Sequence, residues 1–81
     1  MKYEEVYRNL SQNIRHLRKV YGLNQQKMAQ IMGISVATLG RIERQEPGVR
    51  LYAAPLCRLC DHFHYRVDEI MYENWPDMLK R

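Results

Sequence analysis

Two cysteines and two histidines lie within eight consecutive residues, at Cys57, Cys60, His62 and His64. Thiolates and imidazoles are the usual ligands of structural zinc, so these residue types point first to metal binding. Zinc sites of this composition usually separate the cysteine pair from the histidine pair by about a dozen residues, so that two elements fold around the ion. Here all four residues share one segment, and Cys60 falls on an apolar helical face where a buried thiol packs well. We therefore expect packing thiols, no bound metal and no cofactor.

The sequence offers no other catalytic arrangement. It contains no recognisable pairing of a nucleophile with a general base and no glycine-rich phosphate loop. We therefore expect that the protein is not an enzyme.

Basic residues are the second group whose chemistry can be read from the sequence. Nine lie between positions 8 and 58, where the acidic residues are Glu43 and Glu46: Arg8, Arg15, Arg18, Lys19, Lys27, Arg41, Arg44, Arg50 and Arg58. From 61 to 77 the balance reverses, because five acidic residues there face Arg66 alone. A basic front and an acidic rear suit a protein that binds a polyanion on one side, and scattered solvated charge is the alternative.

Helices must carry these residues, because apolar positions recur at spacings of three and four along most of the chain. The pattern predicts an all-α fold of five helices, at about 3–21, 25–32, 36–44, 52–63 and 67–72. In the first helix, we expect Ser11 and Gln12 to lie on the exposed face. In the fourth, Pro55 fits within the first turn, where backbone amides have no helical partner to lose.

The segment from 25 to 44 contains two of these helices, joined by a tight turn. Asn24 and Ser35 are suited to cap the two helices through their side-chain oxygens. Gly33 lies between them, and glycine adopts the left-handed conformation that ends a helix without steric conflict. Two helices with a short glycine-containing turn are typical of the helix-turn-helix, which presents its second helix to the major groove of DNA.

This segment resembles the helix-turn-helix of the lambda-repressor-like, or XRE-type, DNA-binding domains. The matching residues are Leu23, Asn24, Gln25, Met28, Ala29, Gly33, Ile34, Ser35, Thr38, Leu39, Arg41, Ile42, Glu43 and Arg44. The similarity extends from Ile14, Leu17 and Arg18 to Ile70, and so covers about residues 10 to 71 of the chain. The resemblance implies a five-helix domain that binds double-stranded DNA.

The resemblance also implies which residues read the bases. They occupy outward positions in the N-terminal half of the third helix, and here those positions hold Val36, Ala37, Gly40 and Arg41. Arg41 alone among them can bind guanine bidentately, so part of the specificity is expected to come from DNA shape. Ser35, as the helix cap, would place its hydroxyl and the first amides near a phosphate.

Contacts that position the protein on DNA are expected from three other residues. The resemblance gives Gln25 a phosphate contact, with a solvated side chain as the alternative, and Arg44 and Arg50 are suited to the same role. The family also typically has a partly buried ion pair, and its partners here would be Arg18 and Glu43. In the alternative, Arg18 contacts phosphate or water.

A chain of 81 residues suits one small domain, which we place at 1–72. The remaining tail, 73–81, is predicted to serve packing or dimerisation, because Trp75, Met78 and Leu79 are too apolar to leave exposed. The tail could pack in one of two places: against the first helix at Tyr3, Val6 and Tyr7, or against a second copy of the chain.

The sequence has no apolar run long enough to span a bilayer, and its N-terminus lacks the apolar core of a secretion signal. Two cysteines in that setting indicate a reducing cytosol, so we expect a cytoplasmic protein with no membrane association. The expected function is sequence-specific DNA binding by a transcriptional regulator, as a homodimer. The alternative is an antitoxin-like or adaptor protein that acts mainly through a protein partner, with DNA binding secondary.

Overall fold

The computed structural model describes residues 2–75, which form five α-helices and contain no strand. The helices are α1 (Tyr3–Val20), α2 (Gln25–Met32), α3 (Val36–Glu43), α4 (Ala53–Phe63) and α5 (Val67–Tyr72). The predicted all-α, five-helix architecture is therefore confirmed, and each predicted boundary lies within one residue of the observed one. In this described part, none of the helices has the length and apolar character needed to cross a membrane.

The core lies between α1 and the other four helices. α1 packs against α3 and α5, while α2 packs against α3 and α4. The apolar stripe of α1 supplies Leu10, Ile14 and Leu17 to this core. The other buried members are Met28, Ala29, Met32, Leu39, Ile42, Leu56, Leu59, Cys60, Phe63 and Ile70. α1 is thus the scaffold against which α3 is held.

The turn between α2 and α3 is fixed by hydrogen bonds at both helix ends. Asn24 Oδ1 accepts from the amide of Lys27 at 2.8 Å, and Ser35 Oγ accepts from the amide of Thr38 at 3.1 Å. Gly33 has a φ of 71°, in the left-handed region, and the guanidinium of Arg58 lies directly against it. A side chain at this position would be conformationally strained and would displace the Arg58 guanidinium. The turn between α2 and α3 therefore favours glycine at position 33.

Two non-glycine residues end helices in the same left-handed conformation. His64 follows α4 with a φ of 63°, and Gln45 follows the cap of α3 with a φ of 58°. Pro55 lies in the first turn of α4, as predicted. Gln45 turns the chain so that the amide of Glu46 donates to the carbonyl of Arg41 at 3.0 Å. The loop after α3 therefore folds back along α3.

The prediction that Ser11 is exposed is wrong, because its side chain is fully buried. Ser11 lies four residues after Tyr7 and three before Ile14, so helical spacing places it beside the apolar stripe. Asn13 is also fully buried, and its Nδ2 donates to the carbonyl of Ile70 at 2.7 Å. Its Oδ1 accepts from the amide of Trp75 at 3.1 Å. Asn13 thereby satisfies backbone groups at and beyond the end of α5, which have no helical partners.

The start of the tail docks at a different place from the one predicted on α1. The rings of Trp75 and Tyr65 are 4.8 Å apart, and Trp75 shares a groove with Leu17, Val20 and Tyr21. Trp75 therefore lies towards the C-terminal half of α1, away from Tyr3, Val6 and Tyr7. Met78 and Leu79 lie outside the described residues.

Candidate nucleic-acid interface

α3 exposes one face and buries the other. Leu39 and Ile42 are fully buried, whereas Val36 is 42% exposed and Ala37 and Arg41 are also exposed. Ser35 begins the helix, so the first amides of α3 point outward without helical partners. The exposed face therefore combines two small apolar side chains, one exposed guanidinium and a positive helix end.

Gly40 lies on the same side of α3 but is covered by Arg44. A Cβ atom at position 40 would lie 3.1 Å from Nη1 of Arg44, which is a tight contact. Arg44 Nε and Nη2 donate to Oε2 of Glu46 at 3.0 and 2.7 Å. Gly40 is therefore shielded from solvent, and the Arg44 guanidinium is held over it by a carboxylate that the sequence reading did not include.

The predicted pair Arg18 and Glu43 lies in contact between α1 and the end of α3. Arg18 Nε donates to Glu43 Oε2 at 2.8 Å and Nη2 donates to Oε1 at 2.9 Å, while the Glu43 side chain is only 4% exposed. Hydrogen bonding to Glu43 raises the pKa of Arg18, so the guanidinium stays charged. Arg18 Nη1 also donates to the carbonyl of Leu23 at 2.9 Å. Glu43 thus joins α1, α3 and the turn that precedes α2.

Gln25 lies at the start of α2, where its half-buried side chain also reaches this pair. Its Nε2 donates to Oε1 of Glu43 at 3.3 Å. The amide side chain of Gln25 is therefore oriented by the ion pair, and it belongs to the same cluster as the C-terminal end of α3.

An open cavity of about 730 Å³ separates the exposed side of α3 from the loop after it. Arg41 lines one wall and Arg50 lines the other, and the remaining polar side chains in the wall are Ser35, Thr38, Glu46 and Tyr52. Of the predicted site residues, Ser35, Arg41 and Arg50 thus share one concave surface. The sequence reading missed Glu46 and Tyr52, since only the fold brings a loop residue next to a helix face.

Two tyrosines of α1 hold this loop in place. Tyr7 Oη donates to the carbonyl of Glu46 at 3.0 Å, and Tyr3 Oη donates to the carbonyl of Val49 at 3.4 Å. Their rings stack with centroids 6.1 Å apart. Burial raises the pKa of Tyr7, so its hydroxyl keeps the proton that it donates to the loop. From the sequence, both tyrosines are expected only as a packing place for the tail, and neither hydrogen bond is predicted.

The cysteine and histidine cluster takes no part in this surface. Cys57 is exposed while Cys60 is buried in the core. Burial raises the pKa of the Cys60 thiol, which disfavours the reactive thiolate. Within residues 2–75, no three His, Cys, Asp or Glu side chains are grouped closely enough to hold a metal ion.

The chain was also compared with known proteins. A family model described as a Cro/C1-type HTH DNA-binding domain matches residues 13–73, which is most of the chain. Searches of curated proteins and of solved structures gave no significant match. The matched residues include all of α2 to α5, the helix-turn-helix and the Arg18–Glu43 pair. The chain belongs to the Cro/C1-type helix-turn-helix DNA-binding domains.

Proposed function

We propose that this protein is a sequence-specific transcriptional regulator that inserts α3 into the major groove of its operator. The observation that carries the proposal is the exposed, capped N-terminal half of α3, held on α1 and bordered by a concave basic surface. A major groove about 12 Å wide admits one α-helix, and residues at the helix start then meet the base edges.

Arg41 is the proposed base reader of this face. Its guanidinium is exposed on the last turn of α3, and a guanidinium matches the O6 and N7 acceptors of guanine. Val36 and Ala37 would contact thymine methyl groups, since both side chains are apolar and exposed. This face offers few other donors, so DNA shape would supply part of the specificity.

Phosphate contacts would position α3 in the groove. Ser35 and the first amides of α3 form a helix N-terminus, which attracts a phosphate. Arg50 projects from the facing loop, and Gln25 stands at the start of α2. Such contacts fix orientation and register without distinguishing sequences.

We further propose that the regulator binds as a homodimer on a palindromic operator. Two copies of α3 would then enter successive major grooves on one side of the duplex, about 34 Å apart. A single domain with so few base contacts gains both affinity and specificity when two half-sites are bound together.

Selection of bound sequences from a random duplex pool tests this function. We expect a palindromic motif whose half-site centres are about 10 base pairs apart. Arg41→Ala should relax the preference at one base pair of each half-site and weaken the preferred duplex by about 1–3 kcal/mol. Arg66→Ala is the matched control, because it removes the same charge at the residue before α5, which packs against α1 and α4.

A motif that is unchanged in Arg41→Ala contradicts the role of Arg41. Recovery of no motif by the wild-type protein contradicts sequence-specific binding altogether. The second candidate function, action through a protein partner, would then stand. It is favoured by an apolar groove of about 380 Å³ lined by Leu17, Val20, Tyr21 and Trp75, in which Val20 is 62% exposed.

A further inference from the structure

The reading face of α3 has a gap at Gly40, and the side chain of Arg44 fills it. Side chains on a helix lean towards its N-terminus, so a residue can cover the position four places earlier. Because Gly40 has no Cβ, the Arg44 guanidinium lies where that atom would otherwise restrict it, with Nη1 3.1 Å from the Cβ position. The functional end of Arg44 is therefore displaced by about one turn, towards Arg41 and the start of α3.

Glu46 fixes the Arg44 guanidinium in this place. The left-handed conformation of Gln45 folds the chain back, and Glu46 Oε2 then accepts from both Nε and Nη2 of Arg44. A guanidinium has five N–H groups, of which two are used here. The other three, on Nη1 and Nη2, have no acceptor among residues 2–75. The Arg44 side chain is nevertheless 65% exposed, so the guanidinium stays open to a ligand while Glu46 holds it.

This arrangement suits a base better than a phosphate. Attraction to phosphate depends on net charge, and the Glu46 carboxylate 2.7 Å from Nη2 offsets part of the charge of Arg44. Recognition of guanine depends instead on two donors aimed at O6 and N7, which the carboxylate leaves in place. A guanidinium already held by Glu46 also loses less side-chain freedom when it binds.

We propose that Arg44 is a second base reader, which recognises guanine in place of the missing side chain at position 40, with Gly40 and Glu46 as its positioning residues. This inference rests on the proposed function, in which α3 lies in the major groove. It replaces the phosphate contact that the sequence pattern alone gives to Arg44. Each half-site would then contain two guanines read by arginines, and Arg41 and Arg44 would read different base pairs.

Arg44→Lys tests this role, because lysine keeps the charge but not the planar fork. The measurement is the ratio of the dissociation constants for random duplex and for the selected duplex. For Arg44→Lys we expect this ratio to fall by about 5- to 150-fold, with random duplex bound nearly as before. The matched control is Arg50→Lys, which we expect to change both affinities by the same small factor, since a phosphate accepts either cation.

Glu46→Ala tests whether Glu46 positions the Arg44 guanidinium. Removing a carboxylate from this surface should strengthen binding to random duplex. If Glu46 holds a base reader, the selected duplex should gain less, so the ratio falls. An equal gain on both duplexes overturns the role of Glu46.

The decisive result is the ratio of the two dissociation constants for Arg44→Lys. The variant must have the same thermal stability as the wild type. An unchanged ratio, in a protein whose wild type has a preferred site, overturns the inference and leaves the proposed function intact. Absence of any preferred site in the wild type overturns both. A ratio that falls, with relaxed selection at a base pair other than the one read by Arg41, is the expected outcome.

Discussion

Glu43 is the residue through which three parts of the molecule are joined. Its carboxylate accepts two hydrogen bonds from Arg18 and one from Gln25, and Arg18 in turn binds the carbonyl of Leu23. A buried carboxylate of this kind is stabilising only while its charged partner is present. The pair therefore fixes where α3 ends relative to α1 and α2.

Glu43→Gln should lower the free energy of unfolding by about 3 kcal/mol, because it leaves the Arg18 charge half-buried without a counter-charge. Urea denaturation provides the measurement, as a shift of the midpoint at constant slope. Glu5→Gln is the matched control, since Glu5 is exposed in the first turn of α1 and should change stability by less than about 0.5 kcal/mol. Equal midpoints for the two variants would show that the Glu43 pair contributes nothing to the fold.

At the scale of elements, the exit from α3 is under strain. Gln45 has a φ of 58° after the α3 cap, a conformation that costs an L-residue about 1–2 kcal/mol and glycine nothing. Gln45→Gly should therefore stabilise the protein by about 1 kcal/mol, because the strain that it relieves exceeds the opposing cost of the greater freedom of glycine in the unfolded chain. The control is Gln30→Gly in α2, where the same substitution should destabilise by about 1 kcal/mol. Thermal unfolding that gives both variants the same sign would contradict this account of the turn.

The five helices could be predicted from sequence because each is specified by its own residues. Apolar spacing marks the faces, while Asn24, Gly33 and Ser35 mark the ends. The same local reasoning placed Arg41 on the outside of α3. These features depend on neighbours within a few residues, so no knowledge of the tertiary fold was required.

Contacts between distant segments escaped the sequence reading. Asn13 bonds to the backbone of Ile70, 57 positions away, and local patterning gives no sign of such a partner. The shielding of Gly40 by Arg44 depends on Glu46, which reaches Arg44 only because Gln45 adopts a left-handed conformation. The resemblance supplied the Arg18–Glu43 pair, which spacing alone does not predict.

At the scale of the whole molecule, some exposed acidic residues lie on other elements than α3, whereas Glu46 lies beside it. Asp61 and Asp68 are exposed on α4 and α5, and α5 packs against α1 and α4. Arg41 and Arg50 face the cavity beside α3. The phosphates of DNA would attract Arg41 and Arg50 and repel Asp61 and Asp68. This difference would orient the domain before it makes contact.

The placement of α3 in the major groove is the central claim, and base analogues test it most directly. In the selected duplex, the guanine read by Arg41 is replaced by 7-deazaguanine, which lacks the N7 acceptor in the major groove, or by inosine, which lacks the amino group in the minor groove. Equilibrium binding should weaken by about tenfold with 7-deazaguanine, as expected for about 1.4 kcal/mol, and change little with inosine. Weaker binding with inosine and unchanged binding with 7-deazaguanine would contradict the account, because the protein would then read the minor groove.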